Sequence, residues 1–367
     1  MDSLETARNA INEIDEKMAE LFKQRMLAVR DIAAYKKERG MAIFDAEREK
    51  TVIARNVGIY PDNETRVFYS SFLQDVMNVS KRYQRSLMEG MRVAYSGVEG
   101  AFADIAAKRI FPDALHVGYP DFSAAYQSVE NGECECAVLP IENSYAGVVG
   151  QVMDLMFEGD LYVNGVYTLP VVQNLLGLPG VNIKEIKTII SHPQALAQCG
   201  EYIRSHGWTT VSAANTAIAA QEVVQRGDKT IAAIASFETA ALYGLEVLDH
   251  DINESNANST KFAVFSRVEQ HPDTGNSKFL LLFTVNDVAG ALAKAINVIS
   301  AYGFNMKVLR SRPVRSRDWQ YYFYVEAEGD ETTEDGRKML GELAEQCETM
   351  KIAGHYTVEI SLRKNQG

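Results

Sequence analysis

Apolar residues recur with helical spacing from the start of the chain. Two interleaved seven-residue series carry this pattern: Leu4, Ile11, Met18, Arg25 and Ile32, with Ala7, Ile14, Leu21, Ala28 and Tyr35. The spacing predicts a long helix that Gly40 ends, a second helix that begins near Asp45 and a third after Pro61. We therefore expect an all-α bundle over residues 1–90.

From Arg92 the pattern changes to short apolar strands that alternate with helical stretches. The predicted strands are 93–95, 137–139, 186–190, 230–234 and 262–265. The predicted helices lie near 101–110, 121–131, 193–205, 215–226 and 236–242. This alternation predicts an α/β domain over 91–270 with a mostly parallel sheet, in which ligands bind where strand ends meet helix starts.

The last part of the chain, 276–364, shows a third pattern. It reads strand 278–285, helix 290–302, strand 305–312, strand 319–327, helix 333–347 and strand 354–361. This βαββαβ order predicts a ferredoxin-like domain. The segment has no catalytic constellation, and the fold alone implies no function.

Charge is distributed unevenly over these three segments. The chain has 37 basic and 49 acidic residues, a net charge of −12, which argues against nucleic acid or an anionic membrane as the main partner. The net charge is 0 over 1–90, −11 over 91–270 and −1 over 271–367. No apolar run approaches the roughly 18 residues that span a bilayer, and the first residues do not resemble a signal peptide, so we expect a cytoplasmic protein.

The cysteines predict neither a disulfide framework nor a metal site. They are scattered along the chain at Cys134, Cys136, Cys199 and Cys347. The close pair, Cys134 and Cys136, lacks the second pair or the histidines that a tetrahedral site needs.

Polar residues interrupt the apolar faces of the helical segment. Arg25 stands in an inward row, so it is either half of a buried ion pair or a ligand-binding group. Lys36 lies three helical turns further on the same face, and Ser80 and Gln84 are one turn apart on the third helix. Each of these could be a satisfied core polar residue by itself. Together with a carboxylate they are typical of a pocket for a small dianion.

The spacing of these polar residues resembles that of the all-helical chorismate mutase family. The matching positions lie between residues 1 and 88: Arg8, Arg25, Lys36, Asp45, Arg48, Glu49, Ser80 and Gln84. The resemblance implies a dimer of three-helix protomers in which the long first helix spans both active sites. Arg8 lies about −100° around the helix from Arg25. It would therefore reach the partner's pocket.

The resemblance also implies a role for each residue in the rearrangement of chorismate to prephenate. Four side chains would bind the two carboxylates: Arg25, Ser80, Arg48 and the partner's Arg8. Lys36 and Gln84 would donate to the breaking ether oxygen, and Glu49 with the backbone at Asp45 would hold the ring hydroxyl. Catalysis would rest on selecting a compact conformer and stabilising charge at the ether oxygen.

Hydroxyl and amide side chains gather in the loops at the predicted strand ends of the second segment. These loops are 96–100, 140–147, 191–194, 215–217 and 258–262. With helix N-termini they would cradle carboxylates without a formal positive charge. No Ser-His-Asp or Cys-His pattern indicates hydrolysis, and His192 before Pro193 is typical of a cap or a packing residue.

Residues 91–268 are similar to prephenate dehydratases. The matching motifs are E-N-S-x-x-G at 142–147, S-H-P-Q at 191–194 and T-x-F at 260–262. The resemblance implies a two-lobed fold like that of periplasmic binding proteins. In it Thr260 is catalytic, and its hydroxyl hydrogen-bonds or protonates the leaving ring hydroxyl as carbon dioxide departs. The implied substrate-binding residues are Asn143, Ser144, Thr216, Thr260 and Lys261.

The dehydratase segment departs from the family pattern in three places. Lys261 replaces an arginine, and lysine cannot reproduce its bidentate fork. Val98 replaces a proline, and Ala101 and Ala103 stand where hydroxyls are frequent, Ala103 being the more serious loss. These departures predict altered substrate affinity.

The third segment resembles the ACT domain at the end of prephenate dehydratases, which binds phenylalanine at a dimer interface. The matching residues, which we predict to be allosteric, are Gly290, Ala291, Leu292, Asn305, Ser311, Arg312 and Pro313. Arg310 stands where the family has glutamate, and this charge reversal bears on phenylalanine binding more than on the fold.

The whole chain thus resembles bifunctional chorismate mutase–prephenate dehydratases. The expected function is conversion of chorismate through prephenate to phenylpyruvate in phenylalanine biosynthesis. We expect a homo-oligomer under feedback control by phenylalanine, without metal or organic cofactor. Two alternatives remain open: a mutase whose dehydratase has weakened, and a two-lobed aromatic-acid binding module fused to a sensor, without turnover in residues 91–367.

Overall fold

The computed structural model describes residues 3–59, 63–255, 258–270, 277–314, 320–357 and 359–362. The chain divides into two compact units, Met1–Met91 and Arg92–Gly367. Within the described ranges, no helix combines the length and the apolarity needed to cross a membrane.

Within the residues that the structure describes, the first unit consists of three helices, as the periodicity predicts. They are α1 (Ser3–Glu38), α2 (Ala46–Ile59) and α3 (Asn63–Glu89). Helix α1 is about 54 Å long at 1.5 Å per residue, but its buried residues are Val29 and Ala33, both in its C-terminal half. The predicted apolar seam is largely exposed in this unit, with Ile11 at 56% and Leu21 at 63%. One chain therefore does not cover the seam.

The second unit begins with a lobe that alternates strands and helices. Its strands are β1 (Arg92–Ser96), β2 (Leu115–Tyr119), β3 (Cys136–Asn143), β4 (Gly147–Val148) and β5 (Tyr162–Pro170). Its helices are α4 (Phe102–Ile110), α5 (Phe122–Glu130) and α6 (Gly150–Glu158). Strands β2 and β5 and helix α6 were not predicted.

A second lobe follows and has its own sheet. Its strands are β6 (Asn174–Gly177), β7 (Thr188–Ser191), β8 (Thr209–Ser212), β9 (Ile231–Ala235) and β10 (Glu246–Asp249). Its helices are α7 (Pro193–Gln198), α8 (Gly200–Ser205), α9 (Thr216–Arg226) and α10 (Phe237–Tyr243), with a 3₁₀ turn at Ile183–Glu185. The chain then returns to the first lobe as β11 (Ser259–Ser266).

Both sheets are mixed, so the prediction of mostly parallel sheets holds only in part. The first lobe has the order β5-β11-β3-β1-β2, in which β11 is antiparallel to both neighbours. The second has the order β10-β6-β9-β7-β8, in which β6 is antiparallel. The two segments that connect the lobes lie side by side, since the Val171 amide donates to the Asn258 carbonyl at 2.9 Å.

The C-terminal part has the predicted βαββαβ order. Its elements are β12 (Ser277–Thr284), α11 (Ala291–Ala301), β13 (Asn305–Pro313), β14 (Tyr321–Glu328), α12 (Glu334–Gln346) and β15 (Thr349–Thr357), followed by β16 (Ile360–Ser361). Four of its strands form the order β13-β14-β12-β15.

This C-terminal domain shares one sheet with the first lobe, although composition predicts a boundary between residues 270 and 276. Strand β15 runs parallel to β5, with Gly354 opposite Val163. Gly354 has φ +144°, and a Cβ there would lie 2.2 Å from the Val163 carbonyl oxygen, so this close approach requires glycine. Strand β12 is buried on both faces: Leu281 packs with the C-terminal helices, and Leu280 packs with the first-lobe core.

Candidate active sites

In the helical unit, α1 and α3 bring Arg25 and Ser80 together. Arg25 Nη1 donates to Ser80 Oγ and, at 3.4 Å, to the Val76 carbonyl. Ser80 is 4% exposed, and its hydroxyl donates to the same carbonyl at 2.8 Å. Burial lowers the pKa of the Arg25 guanidinium. This cation is therefore held against the inner face of α3.

Gln84 and Lys36 carry polar groups that a ligand could use. Gln84 is 8% exposed, and its Oε1 is buried without a hydrogen bond from any described residue. A buried acceptor without a hydrogen bond costs about 1–3 kcal/mol of stability. A hydrogen-bond donor on a bound ligand would remove this cost. The half-buried Lys36 Nζ donates to the Ile43 carbonyl at 2.6 Å. Its ammonium is thus held at the C-terminal end of α1.

The remaining predicted mutase residues lie around α2 or far along α1. Glu49 pairs with Lys81 Nζ at 2.9 Å, and Asp45 Oδ1 accepts the Arg48 amide at 2.9 Å, which caps α2. The Arg48 and Arg8 side chains are exposed. Lys81 was not predicted as a site residue, because nothing in the helical period distinguishes it from a solvent-facing lysine.

In the second unit, a cavity of about 700 Å³ lies between the two lobes. The first lobe contributes Asn143 and Thr260, and the second contributes Thr216. Three of the five predicted substrate-binding residues thus meet there, although they are far apart in sequence. Val98 and Ala103, two positions that depart from the family pattern, also line it.

Asn143 fixes the orientation of the Thr260 hydroxyl. Its Oδ1 accepts the backbone amides of Tyr145 at 3.0 Å and Ala146 at 2.8 Å, and Gln194 Nε2 at 3.0 Å. A backbone N–H can only donate, so the other end of this amide must be the NH₂ group. Asn143 Nδ2 donates to Thr260 Oγ1 at 2.9 Å. The Thr260 proton is therefore available to a ligand in the cavity.

Helix α7 adds two glutamine side chains that were not among the predicted site residues, although Gln194 lies in the predicted loop 191–194. Gln194 and Gln198, one turn apart, both line the cavity. Gln198 Oε1 accepts Asn258 Nδ2 at 2.9 Å and Gln173 Nε2 at 3.5 Å. Gln194 follows the S-H-P motif directly and Gln198 lies four residues later, so the two share one helix face. This spacing could have predicted that both side chains belong to the site.

Helix N-termini supply the positive end of the cavity. Thr216 is the first residue of α9, which Asn215 caps by accepting the Ile218 amide at 2.8 Å. His192 caps α7 and accepts the Gln194 amide at 3.2 Å. Burial lowers the pKa of His192, so its imidazole is neutral at pH 7. Among the described residues that line the cavity none is lysine or arginine, so an anion would be bound by amides, hydroxyls and helix dipoles.

Lys261 and Ser144 do not line this cavity, contrary to expectation. Successive side chains of a strand point to opposite faces, so Lys261 points away from the side on which Thr260 lies. Its Nζ pairs with Glu359 at 2.9 Å and Glu142 at 3.6 Å. Burial alone would lower the pKa of Lys261, but its hydrogen bond to Glu359 and the nearby carboxylates raise it. Ser144 Oγ accepts a backbone amide at 2.9 Å.

The predicted allosteric residues separate into two groups. Gly290, Ala291 and Leu292 line a cavity of about 450 Å³ beside α11. Asn305, Ser311, Arg312 and Pro313 do not line it. Asn305 Nδ2 donates to Glu328 Oε2 at 2.8 Å. Arg312 instead makes two hydrogen bonds to Asp154 of α6, at 2.8 and 2.9 Å.

Comparisons with known proteins identify the family. The prephenate dehydratase family model matches residues 93–270, and the model for chorismate mutase type II matches residues 7–85. Arogenate dehydratase/prephenate dehydratase 1 from Arabidopsis thaliana is 34% identical, over 74% of this chain and 73% of its own. The chain belongs to the prephenate dehydratase family.

This family member is also similar to proteins with both activities in one chain. The bifunctional chorismate mutase/prephenate dehydratase of Aquifex aeolicus is 28% identical, over 97% of this chain and 98% of that protein. The solved structure of an Arthrobacter aurescens prephenate dehydratase in complex with L-Phe has a TM-score of 0.68, 27% identity, and covers 73% of this chain and 90% of that one. The prediction of a mutase domain followed by a dehydratase domain is thus confirmed.

Proposed function

We propose that this chain converts chorismate to prephenate and prephenate to phenylpyruvate in phenylalanine biosynthesis, with no metal or organic cofactor. The observation that carries the proposal is the Thr260 hydroxyl, which Asn143 orients in the cavity. The N-terminal domain of the same chain is a chorismate mutase. Each reaction starts from a single substrate molecule and needs no external nucleophile or oxidant, so binding, orientation and hydrogen-bond donation suffice.

In the mutase reaction Arg25 and Ser80 bind one carboxylate of chorismate, with Arg48 in support. Lys36 Nζ and the Gln84 amide donate to the ether oxygen, where negative charge develops as the C–O bond breaks. Glu49 and the backbone at Asp45 hold the ring hydroxyl. The contact of Arg25 with Ser80 supports this arrangement.

A second copy of the chain completes the mutase unit. The exposed apolar series of α1, which includes Ile11, Met18 and Leu21, supports this assembly, because a continuous apolar face of a helix packs against another element. The partner's Arg8 then binds the other carboxylate. Seventeen residues separate Arg8 from Arg25, a rise of about 26 Å, so one chain's Arg8 serves the other chain's pocket.

In the dehydratase reaction the ring carboxylate leaves as carbon dioxide, and its bonding electrons aromatise the ring. The ring hydroxyl leaves at the opposite carbon. The Thr260 hydroxyl gives its proton to this departing oxygen, which leaves as water, and Thr260 regains a proton from solvent. Thr216 and the start of helix α9 bind the remaining carboxylate, consistent with the lack of lysine and arginine among the described lining residues.

The cavity also favours a second substrate, arogenate. This α-amino counterpart of prephenate carries an ammonium group where prephenate has a ketone, so it brings one negative charge fewer into a cavity without described lysine or arginine. The Arabidopsis relative is named for both activities, arogenate dehydratase and prephenate dehydratase. Purified protein supplied with each substrate in turn would give phenylpyruvate from prephenate and phenylalanine from arogenate.

A coupled assay tests the bifunctional proposal. Purified full-length protein is given chorismate, its ultraviolet loss is followed, and phenylpyruvate is read by its absorbance in base. We expect both signals. Accumulation of prephenate without phenylpyruvate would show that the mutase is active and the dehydratase is not. If chorismate is not consumed, the mutase assignment is refuted.

We further propose that residues 277–362 form an ACT domain whose effector is phenylalanine, bound near Gly290–Leu292 at an interface between two copies. The βαββαβ order and the cavity beside α11 support this role. The related Arthrobacter dehydratase has been solved with L-Phe.

Millimolar phenylalanine should therefore lower the rate of phenylpyruvate formation from prephenate, because an effector that prefers one conformation shifts the population towards it. The rate is measured with supplied prephenate, and D-phenylalanine serves as the control. An unchanged rate would mean that this domain, with Arg310 in place of the family's glutamate, does not transmit phenylalanine binding.

A further inference from the structure

The two residues at the centre of the dehydratase site lie beyond an irregularity in their strands. The regular pairing of β3 with β11 ends with Pro140 opposite Phe262. Ile141 is an extra residue, and the last pair places Asn143 opposite Thr260. A bulge interrupts a ladder and allows the strand beyond it to change direction. The position of Asn143 therefore depends on what holds the strand end beyond the bulge.

Glu142 anchors this strand end on the face of the sheet opposite to the Asn143 side chain. It precedes Asn143, so its side chain points away from the side on which Asn143 lies, towards the C-terminal domain. There its carboxylate pairs with Arg310 of β13 through Oε1, while Oε2 lies 3.6 Å from Lys261 Nζ. Lys261 is closer to Glu359, at 2.9 Å. Arg310 is thus the nearer cation to Glu142.

The surroundings make this ion pair stronger than a surface pair. The Arg310 and Glu142 side chains are 29% and 28% exposed, and with Met153 and Tyr324 they surround a small void. Tyr324, on the neighbouring strand β14, is 4% exposed. Partial exclusion of water strengthens the attraction and limits the number of side-chain geometries.

We propose that Arg310 is a positioning residue for the dehydratase reaction. By holding Glu142 it holds the adjacent Asn143, and Asn143 in turn orients the Thr260 hydroxyl. The C-terminal domain thereby completes the active site even when no effector is bound. This inference rests on the proposed dehydratase function. A displacement of the order of 1 Å at reacting groups costs up to about a hundredfold in rate.

The test replaces Arg310 by glutamine in the full-length chain. We expect kcat for supplied prephenate to fall about tenfold, with KM changed less than about twofold, because Arg310 does not touch the substrate. Arg310→Lys should restore most of kcat. Lys307→Gln is the matched control, since Lys307 lies on the same strand and pairs with Glu328 at 3.0 Å on the surface. The melting temperature of each variant reports on folding of the second unit, to which Arg310, Glu142 and Lys307 all belong.

A double-mutant cycle separates positioning from mere stabilisation. Glu142→Gln should reduce kcat as Arg310→Gln does, and the double variant should be no slower than either single variant, because both act through one contact. Additive losses, or a fall in melting temperature with kcat intact, would overturn the inference. An inactive wild-type dehydratase would instead refute the proposed function, whereas an active wild type with an unimpaired Arg310→Gln variant refutes only this inference.

Discussion

Thr260→Val should lower kcat for phenylpyruvate formation from prephenate by about a hundredfold or more, the scale of a lost proton donor. Valine keeps the branched shape in β11 but removes the hydroxyl whose proton faces the ligand. Asn143 Nδ2 retains acceptors at Asn258 Oδ1 and the Ser259 carbonyl, both at 3.1 Å. The local structure should therefore persist. The measurement is the steady-state rate with supplied prephenate.

Two variants control this experiment. Thr260→Ser keeps the hydroxyl and should recover most of the activity. Ser259→Ala removes a neighbouring hydroxyl that does not line the cavity, so it should change kcat little. Chorismate loss should stay at the wild-type rate in all three proteins. A Thr260→Val enzyme within tenfold of wild type would exclude Thr260 as the donor.

Lys36→Ala should lower kcat of the mutase reaction by about 10²–10³-fold, which corresponds to about 3–4 kcal/mol and is the cost of one lost donor to a developing oxyanion. The reason is that no proton moves in this rearrangement, so hydrogen bonds to the ether oxygen supply much of the acceleration. Gln84→Ala should have a similar effect. The rate of chorismate loss is the measurement.

Lys37→Ala is the matched control for Lys36. The neighbouring lysine has the same charge and helix propensity, but it is exposed and its Nζ donates to the Leu87 carbonyl at 3.3 Å. It should keep nearly full mutase activity. Conversion of supplied prephenate should be unchanged in all of these variants. A loss of less than tenfold in Lys36→Ala would remove its role as donor to the ether oxygen.

Local patterns predicted much of the fold. The C-terminal helix expected at 333–347 spans Glu334–Gln346, and all five strands predicted between 91 and 270 are present. These segments have a clear period of 3.6 or a compact apolar run, so local sequence suffices. Strand β5 was missed because Asn164, Gly165 and Pro170 weaken its propensity. It forms because it pairs with β11 on one side and β15 on the other.

The sequence by itself determined the division into helical, α/β and βαββαβ parts, and it singled out Asn143 and Thr260, which the structure places together in one cavity. Only the tertiary structure decided that Lys261 points away from the cavity, that Gln194 and Gln198 join it, and that the C-terminal domain shares a sheet with the first lobe. The physical reason is that periodicity reports which faces are apolar, whereas partners distant in the chain decide what each face meets.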